Sequence, residues 1–185
     1  QNLIEEKTGV YQGFTVDLID MEVTKNLKEM GISQKDCQVS GVIDEEGNVI
    51  PDELTGSNSL LLVRFKIYNE NGVGQAGERY LLLNGAFQCK ELLDKNIDSL
   101  PSVLLQPRGP EGVDGKDVNR LYLDKKAIEE NADRLFLGKG EEAIFTMGMM
   151  VRKEWLNKKS DARLILFPGN MDGGLVFQIS EEDLL

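Results

Sequence analysis

The chain of 185 residues contains no histidine. Imidazole is the side chain that most often moves protons near neutral pH and the commonest ligand of transition metals. Its absence excludes Ser-His-Asp and Cys-His nucleophile systems and every zinc site that relies on imidazole. Cysteine is scarce: Cys37 and Cys89 are too few for a disulfide scaffold and lack metal-ligand spacing. In an oxidising compartment they could pair and close a loop of about fifty residues. Otherwise they are two separate buried thiols, and the residues leave both readings open. Long apolar runs are missing too: the longest, such as residues 60–63, are far too short to cross a bilayer, so the chain is expected to be soluble. Positive charge is in the minority. The 21 basic residues against 32 acidic ones leave a net charge of −11, which repels phosphate backbones and anionic headgroups and argues against a nucleic-acid partner.

What is present is ordinary globular material, 41% hydrophobic and 29% charged, at a length suited to one core. One domain is expected over residues 13–180, after an N-terminal linker at 1–12 and before a C-terminal tail at 181–185. In residues 14–23, Phe14, Val16 and Leu18 alternate, and Ile19, Met21 and Val23 then alternate in the opposite phase. This is a strand with a slip of one residue, as a bulge produces. Residues 25–40 read as a loop or short edge element, and 42–50 as a hairpin turning at Gly47-Asn48. The clearest strand is 60–68, with Leu61, Val63, Phe65 and Ile67 on one face.

Residues 79–83 and 86–89 are extended and apolar, broken by the turn dipeptide Asn84-Gly85. Residues 90–100 suit a short helix stopped by Pro101, and the Gly- and Pro-rich stretch 107–117 an exposed loop. A short strand at 121–123 and one or two helical turns through Asn131 follow. Strands are then expected at 134–137, at 142–151 with alternating Ala143, Phe145, Met147, Met149 and Val151, and at 162–167 and 175–179. A helical turn at 152–159 would pair Glu154 with Lys158. Many short strands without regular helical alternation point to an all-β antiparallel sandwich with long loops and one or two short helices.

Gly72, Gly74 and Gly77 spell a literal G-x-G-x-x-G directly after the strand at 60–68. A dinucleotide site needs that turn between a buried parallel strand and a helix whose N-terminal amides meet the pyrophosphate. Here Arg64 and Lys66 alternate with apolar residues, Asn69-Glu70-Asn71 intervenes, and Asn84-Gly85 interrupts the place of the helix. The motif therefore reads as a loop between strands, with a nucleotide-dependent enzyme as the alternative. The acidic groups Asp44-Glu45-Glu46, Glu129-Glu130, Glu141-Glu142 and Glu181-Glu182-Asp183 read as solvated surface rather than a glycosidase pair. Asp114, Asp117 and Asn119, and Asn170 with Asp172, are oxygen-rich but lack calcium-loop spacing; a calcium-stabilised surface domain is a further reading. Met147, Met149 and Met150 near Trp155 read as core. Tyr68, Tyr80, Tyr122 and Trp155 could line a sugar-binding face, although nothing in the sequence shows them converging.

The segments LLLVRFKIYNENG, YLLLNG, LGKGEEAIFTMGMMV and ARLILFPG, in that order, resemble the immunoglobulin-like domain of uncharacterised lipoproteins from Gram-positive bacteria. The resemblance runs from Gly13 to Ser180, with longer insertions at 25–59 and 90–134. It implies an immunoglobulin-like sandwich, an extracytoplasmic location and a lipidated cysteine upstream of Gln1, with no catalytic residues and no cofactor. The chain opens on Gln1 without an apolar leader, as a trimmed mature segment does and as an arbitrary cut would. The expected function is a non-enzymatic, lipid-anchored cell-surface module for a protein, peptide or glycan partner, meeting the membrane only through its anchor. Loops on a rigid sandwich commonly carry recognition. The candidate interaction loops are those bearing Asn69, Asn71, Gly72 and Gly74, and Arg108, Asp114 and Asp117.

Overall fold

A computed structural model describes residues 3–4, 7–30, 42–71, 78–82, 85–97, 102–105, 134–167 and 174–185. Strand β3 (Phe14–Thr24) lies antiparallel to β4 (Ser59–Asn69) along its whole length, and the register slips between Leu18 and Asp20. Ile19 is the extra residue and is 41% exposed. Because the side-chain period of a strand is two, one inserted residue exchanges its faces. Val16 and Leu18 before the bulge and Met21 after it therefore all point inward and are buried, while Asp17 and Asp20 share the outer face. There Asp17 meets Lys66 at 3.2 Å and Asp20 pairs with Arg64.

On its other side β4 pairs antiparallel with β9 (Glu142–Val151), placing Leu61 beside Met149, Val63 beside Met147 and Ile67 beside Ala143. Strand β2 (Thr8–Tyr11) extends the sheet beyond β3, and β7 (Ser102–Leu105) extends it beyond β9. The order of this five-stranded sheet is β2-β3-β4-β9-β7. A second sheet runs β1 (Leu3–Ile4), β11 (Leu175–Gln178), β10 (Arg163–Leu166), β6 (Gly85–Gln88). Its β1–β11 pairing is parallel, and all other ladders among the described strands are antiparallel. Strands β5 (Glu78–Leu82) and β8 (Arg134–Gly138) form a separate antiparallel ribbon. The fold is all-β, and the expected short helix is α1 (Lys90–Asp94).

The inward faces of the two larger sheets share one core. Phe87, Leu164 and Phe177 sit side by side across the four-stranded sheet and belong to the same buried cluster as Val16, Val63, Phe65 and Met147. Their intervening neighbours Ala86, Ile165 and Val176 make a small cluster on the opposite face. Gly85 marks how closely the layers approach: a Cβ there would lie 2.3 Å from the Met147 sulfur. Tyr11, in one sheet, stacks on Phe167, which follows β10, with ring centroids 5.4 Å apart. Full burial of side chains such as Phe65, Ile67 and Phe177 contributes about 1.5–3 kcal/mol each.

Several expectations change. Residues 8–11, assigned above to a linker, form a strand against β3, and 3–4 pair with β11. The segment assigned to a tail contains a 3₁₀ turn, Glu181–Asp183, capped reciprocally by Ser180 and Asp183. It ends with Leu184 bridged to Met21 and the Leu185 N–H donating to the Met21 carbonyl at 2.9 Å. Strands β5 and β6, on either side of residues 83–84, belong to different sheets, and residues 83–84 lie outside the described residues. Residues 152–160 form two 3₁₀ turns, Lys153–Leu156 and Lys158–Ser160, so the helical spacing that would join Glu154 to Lys158 never arises. Lys158 instead meets Glu182 at 2.6 Å, which raises the lysine pKa. Cys89 is a free buried thiol, its pKa raised by desolvation, and Cys37 lies outside the described residues. So do the strand expected at 121–123, the helical turns after it and the loop at 107–117.

Gly85→Ala is expected to destabilise the fold by about 1–3 kcal/mol, the usual cost of overpacking. The cost should shrink when Met147 is also changed to Ala. Urea denaturation of the two single variants and the double variant measures the coupling; strictly additive costs would show that the layers do not meet at this pair.

Candidate functional site

Of the residues chosen from sequence, Asn69 and Asn71 are described, at the C-terminal end of β4; Gly72, Gly74, Arg108, Asp114 and Asp117 lie outside the described residues. Asn69 is fully buried. Its N–H donates to the Glu141 carbonyl at 2.9 Å, its carbonyl accepts from the Gly140 N–H at 2.7 Å, and its Nδ2 donates to the Leu137 carbonyl at 2.7 Å. These bonds join the end of β4 to the end of β8 and the turn leading into β9. The Leu137 carbonyl dictates the amide orientation, because a flipped amide would set oxygen against oxygen. Asn69 Oδ1 is buried without a partner among the described residues. Two residues on, Asn71 is exposed, and its N–H donates to the Gly13 carbonyl at 3.4 Å.

The glycine motif lacks its dinucleotide context. The strand before it, β4, is a central antiparallel strand, and the residues directly after Gly77 form β5 rather than a helix. No helix N-terminus therefore follows the third glycine to meet a pyrophosphate.

At the opposite end of β4, roughly 30 Å away at the normal strand rise, lies a polar cleft of about 470 Å³. It is lined by Val23 and Lys25 at the end of β3, Gly56, Asn58 and Ser59 at the entry to β4, and Arg152, Lys153 and Glu154 after β9. One wall is a self-bonded loop. The Asp52 carboxylate accepts from the Thr55 N–H at 2.8 Å and from its hydroxyl, the Thr55 and Ser57 hydroxyls lie 2.8 Å apart, and the Gly56 N–H donates to the Asp52 carbonyl at 2.8 Å. Burial of Thr55 and Ser57 holds that network in place.

The other wall is organised by Glu91 of α1. This carboxylate accepts from Trp155 Nε1 at 2.7 Å, from Lys95 at 2.8 Å and from Arg152 Nη1 at 3.2 Å. The Lys95 and Trp155 hydrogen bonds lower its pKa against a smaller opposing desolvation. Trp155 is only 2% exposed and stacks on Phe87, with ring centroids 6.1 Å apart. The Arg152 guanidinium lies 5.5 Å from the centroid of the Trp155 ring, and its Nε is 3.8 Å from Glu154. Lys25 and Lys153 make no ion pair among the described residues.

Trp155 is thus buried rather than part of an aromatic face, and Met147, Met149 and Met150 are core. The acidic groups include local structural roles: Asp44 closes the 44–48 turn onto Asn48, Glu141 accepts from the Gly138 N–H, and Asp183 completes a cap. The oxygen-rich stretches at 114–119 and 170–172 lie outside the described residues. Among the described residues no group of three or more acidic or cysteine side chains gathers as a metal would need, and no helix is long and apolar enough to cross a membrane. The cleft had no motif to announce it, because its lining residues come from three separate stretches of chain. Its sequence signals are single cations at strand ends, Lys25 and Lys153. No protein-family model, curated protein or solved structure matches the chain.

Asn69→Asp would bury a carboxylate against the Leu137 carbonyl and lower stability at pH 7 by about 2–4 kcal/mol. Burial raises that carboxyl's folded pKa, so part of the loss relative to wild type should be recovered as pH falls toward 4. Equal loss at both pH values in urea titrations would refute the burial argument. For Glu91 the sign is opposite. Its folded pKa is depressed, so its contribution is present above the ordinary carboxylate range and lost as pH falls through the folded value. Glu91→Gln should therefore flatten the acid-side stability profile, followed through the single tryptophan; an unchanged acid slope would count against the network.

Proposed function

We propose that this protein is a non-enzymatic binding or interaction module, held outside the cytoplasm at a bacterial cell surface by a lipid anchor upstream of Gln1. Its partner is a protein, peptide or glycan. The observation that carries the reading is the contrast at the end of β4: Asn69 is buried and immobilised by three hydrogen bonds, and Asn71, two residues later, is exposed. Loops positioned by a rigid scaffold commonly carry recognition, and Asn69 ties the end of β4 to the scaffold. The immunoglobulin-like character rests on two sheets around one core and on the size of the domain.

Two measurements test this reading. Cells carrying the full-length gene should hold the product in the membrane fraction, accessible to protease on intact cells, and an inhibitor of lipoprotein processing should alter its mobility. Recovery from the cytoplasm overturns the location. Replacing residues 72–77 by a Gly-Ser linker of equal length should leave the melting temperature unchanged and abolish surface adhesion. Retained adhesion removes that loop from the function.

A further inference from the structure

We infer that the cleft between the ends of β3 and β9 and the entry to β4 binds an oxyanion, a carboxylate or phosphate group carried by a small organic ligand. Lys25, Lys153 and the free edge of the Arg152 guanidinium are its anchors. The inference rests on the binding-module reading and gives it a second contact surface, at the other end of β4 from Asn69.

Charge placement is the first argument. Acidic residues outnumber basic ones by 32 to 21, and several basic side chains on the described surface have found carboxylates: Lys7 with Asp183, Arg64 with Asp20, Lys66 with Asp17, Lys158 with Glu182 and Arg163 with Asp161; Lys28, Lys90, Lys139 and Lys159 make no such pair among the described residues. Lys25 and Lys153 line one cleft and have no such partner among the described residues, and Arg152 stands between them in the lining. Among the described residues of that lining the one carboxylate is Glu154, whose side chain is 74% exposed and approaches Arg152 at Nε; in the walls behind it the Asp52 carboxylate is taken up by Thr55, and Glu91 shares its charge between Arg152 and Lys95. The local excess of positive charge is therefore opposite in sign to the net charge of the chain, and an incoming anion meets attraction there and repulsion elsewhere.

Preorganisation is the second argument. Arg152 spends Nη1 on Glu91 and rests on Trp155, with Glu154 at 3.8 Å from its Nε, which leaves Nη2 without a bond among the described residues and the guanidinium oriented by Glu91 and the indole. A guanidinium held in this way loses little freedom when it takes a planar or tetrahedral oxyanion. Across the cleft, Asn58 Oδ1 accepts from the Ser59 hydroxyl at 3.2 Å, leaving the Asn58 amide nitrogen as a further donor. At Gly56 a Cβ would meet nothing within 4 Å, so the cleft is open on that side. Its volume of about 470 Å³ lies within the range of small-molecule sites.

The single tryptophan lies directly beneath Arg152, so the full chain carries its own reporter. Titration with citrate and, separately, with pyrophosphate, with glucose as the uncharged control, should give saturable changes in Trp155 fluorescence. The same additions should shift amide resonances of Lys25, Gly56, Asn58 and Lys153 for at least one anion. The stronger arm identifies carboxylate or phosphate as the preferred group. Lys25→Ala and Lys153→Ala should each weaken that binding about tenfold, the scale of one charge-assisted contact. Lys139→Ala, in the turn before β9, should leave it unchanged. No saturable change in either fluorescence or resonances, or equal weakening by Lys139→Ala, overturns the site. Anion binding by a protein recovered from the cytoplasm would sink the surface reading and leave the cleft standing. A surface protein that ignores both anions would do the reverse.

Discussion

The structure depends on β4 being paired along both edges while one face enters the shared core. Its ladder to β3 and its ladder to β9 run nearly its full length, so its backbone groups are satisfied internally and its inward residues sit in fixed rows. Val16, Ile67 and Ala143 form one such row, and Met21, Val63 and Met147 another. The facing sheet can approach the second row because Gly85 presents no side chain to Met147. A strand held this firmly makes each of its ends a defined place. One end is the Asn69 post, and the other is the entry at Ser59 that forms part of the polar cleft.

The bulge at Ile19 has the same importance for β3. Without it, Met21 would turn outward and Asp20 inward, leaving a carboxylate facing the core. The pairs that result, Asp17 with Lys66 and Asp20 with Arg64, lie on the partly wet face, where exposed ion pairs add little stability. Beyond β2 the edge of β3 is taken over by Leu184 and Leu185, and Lys7 meets Asp183 at 2.6 Å, so both ends of the chain fasten to the same strand.

The electrostatics follow from this frame. An acid-rich chain places its pairs where strands bring opposite charges together, and Glu91 ties α1 to the segment after β9 through Trp155 and Arg152. That tie sets the orientation of Arg152 at the cleft and covers the single tryptophan. Asp161 is lowered in pKa chiefly by its bond to Arg163, and to a lesser extent by Gln178, so the last two strands share the same kind of acid-sensitive link.

The long strands were legible in the sequence because alternation is local: Phe14, Val16 and Leu18, the slip at Ile19, and the runs ending at Tyr68 and Val151 could each be read within about ten residues. Turn glycines could be read too, since Gly47 and Gly140 adopt the positive φ values of 86° and 82° that favour glycine. No local signal disclosed which strands would be neighbours, that 3–4 would run parallel to β11, or that Gly85 would lie against Met147 of the facing sheet. Nor could it show that Lys158 would choose Glu182 over Glu154, because 3₁₀ geometry replaced the helix that spacing implied. Of the candidate site, the Asn69 loop was visible as a break in periodicity. The cleft was not, because residues near 25, 58 and 153 meet only when β3, β4 and β9 align their ends. By itself the sequence determined which residues alternate and where the chain turns, properties set by neighbouring side chains and backbone torsions. Tertiary structure alone decided which cations stand together, because that depends on long-range register and packing.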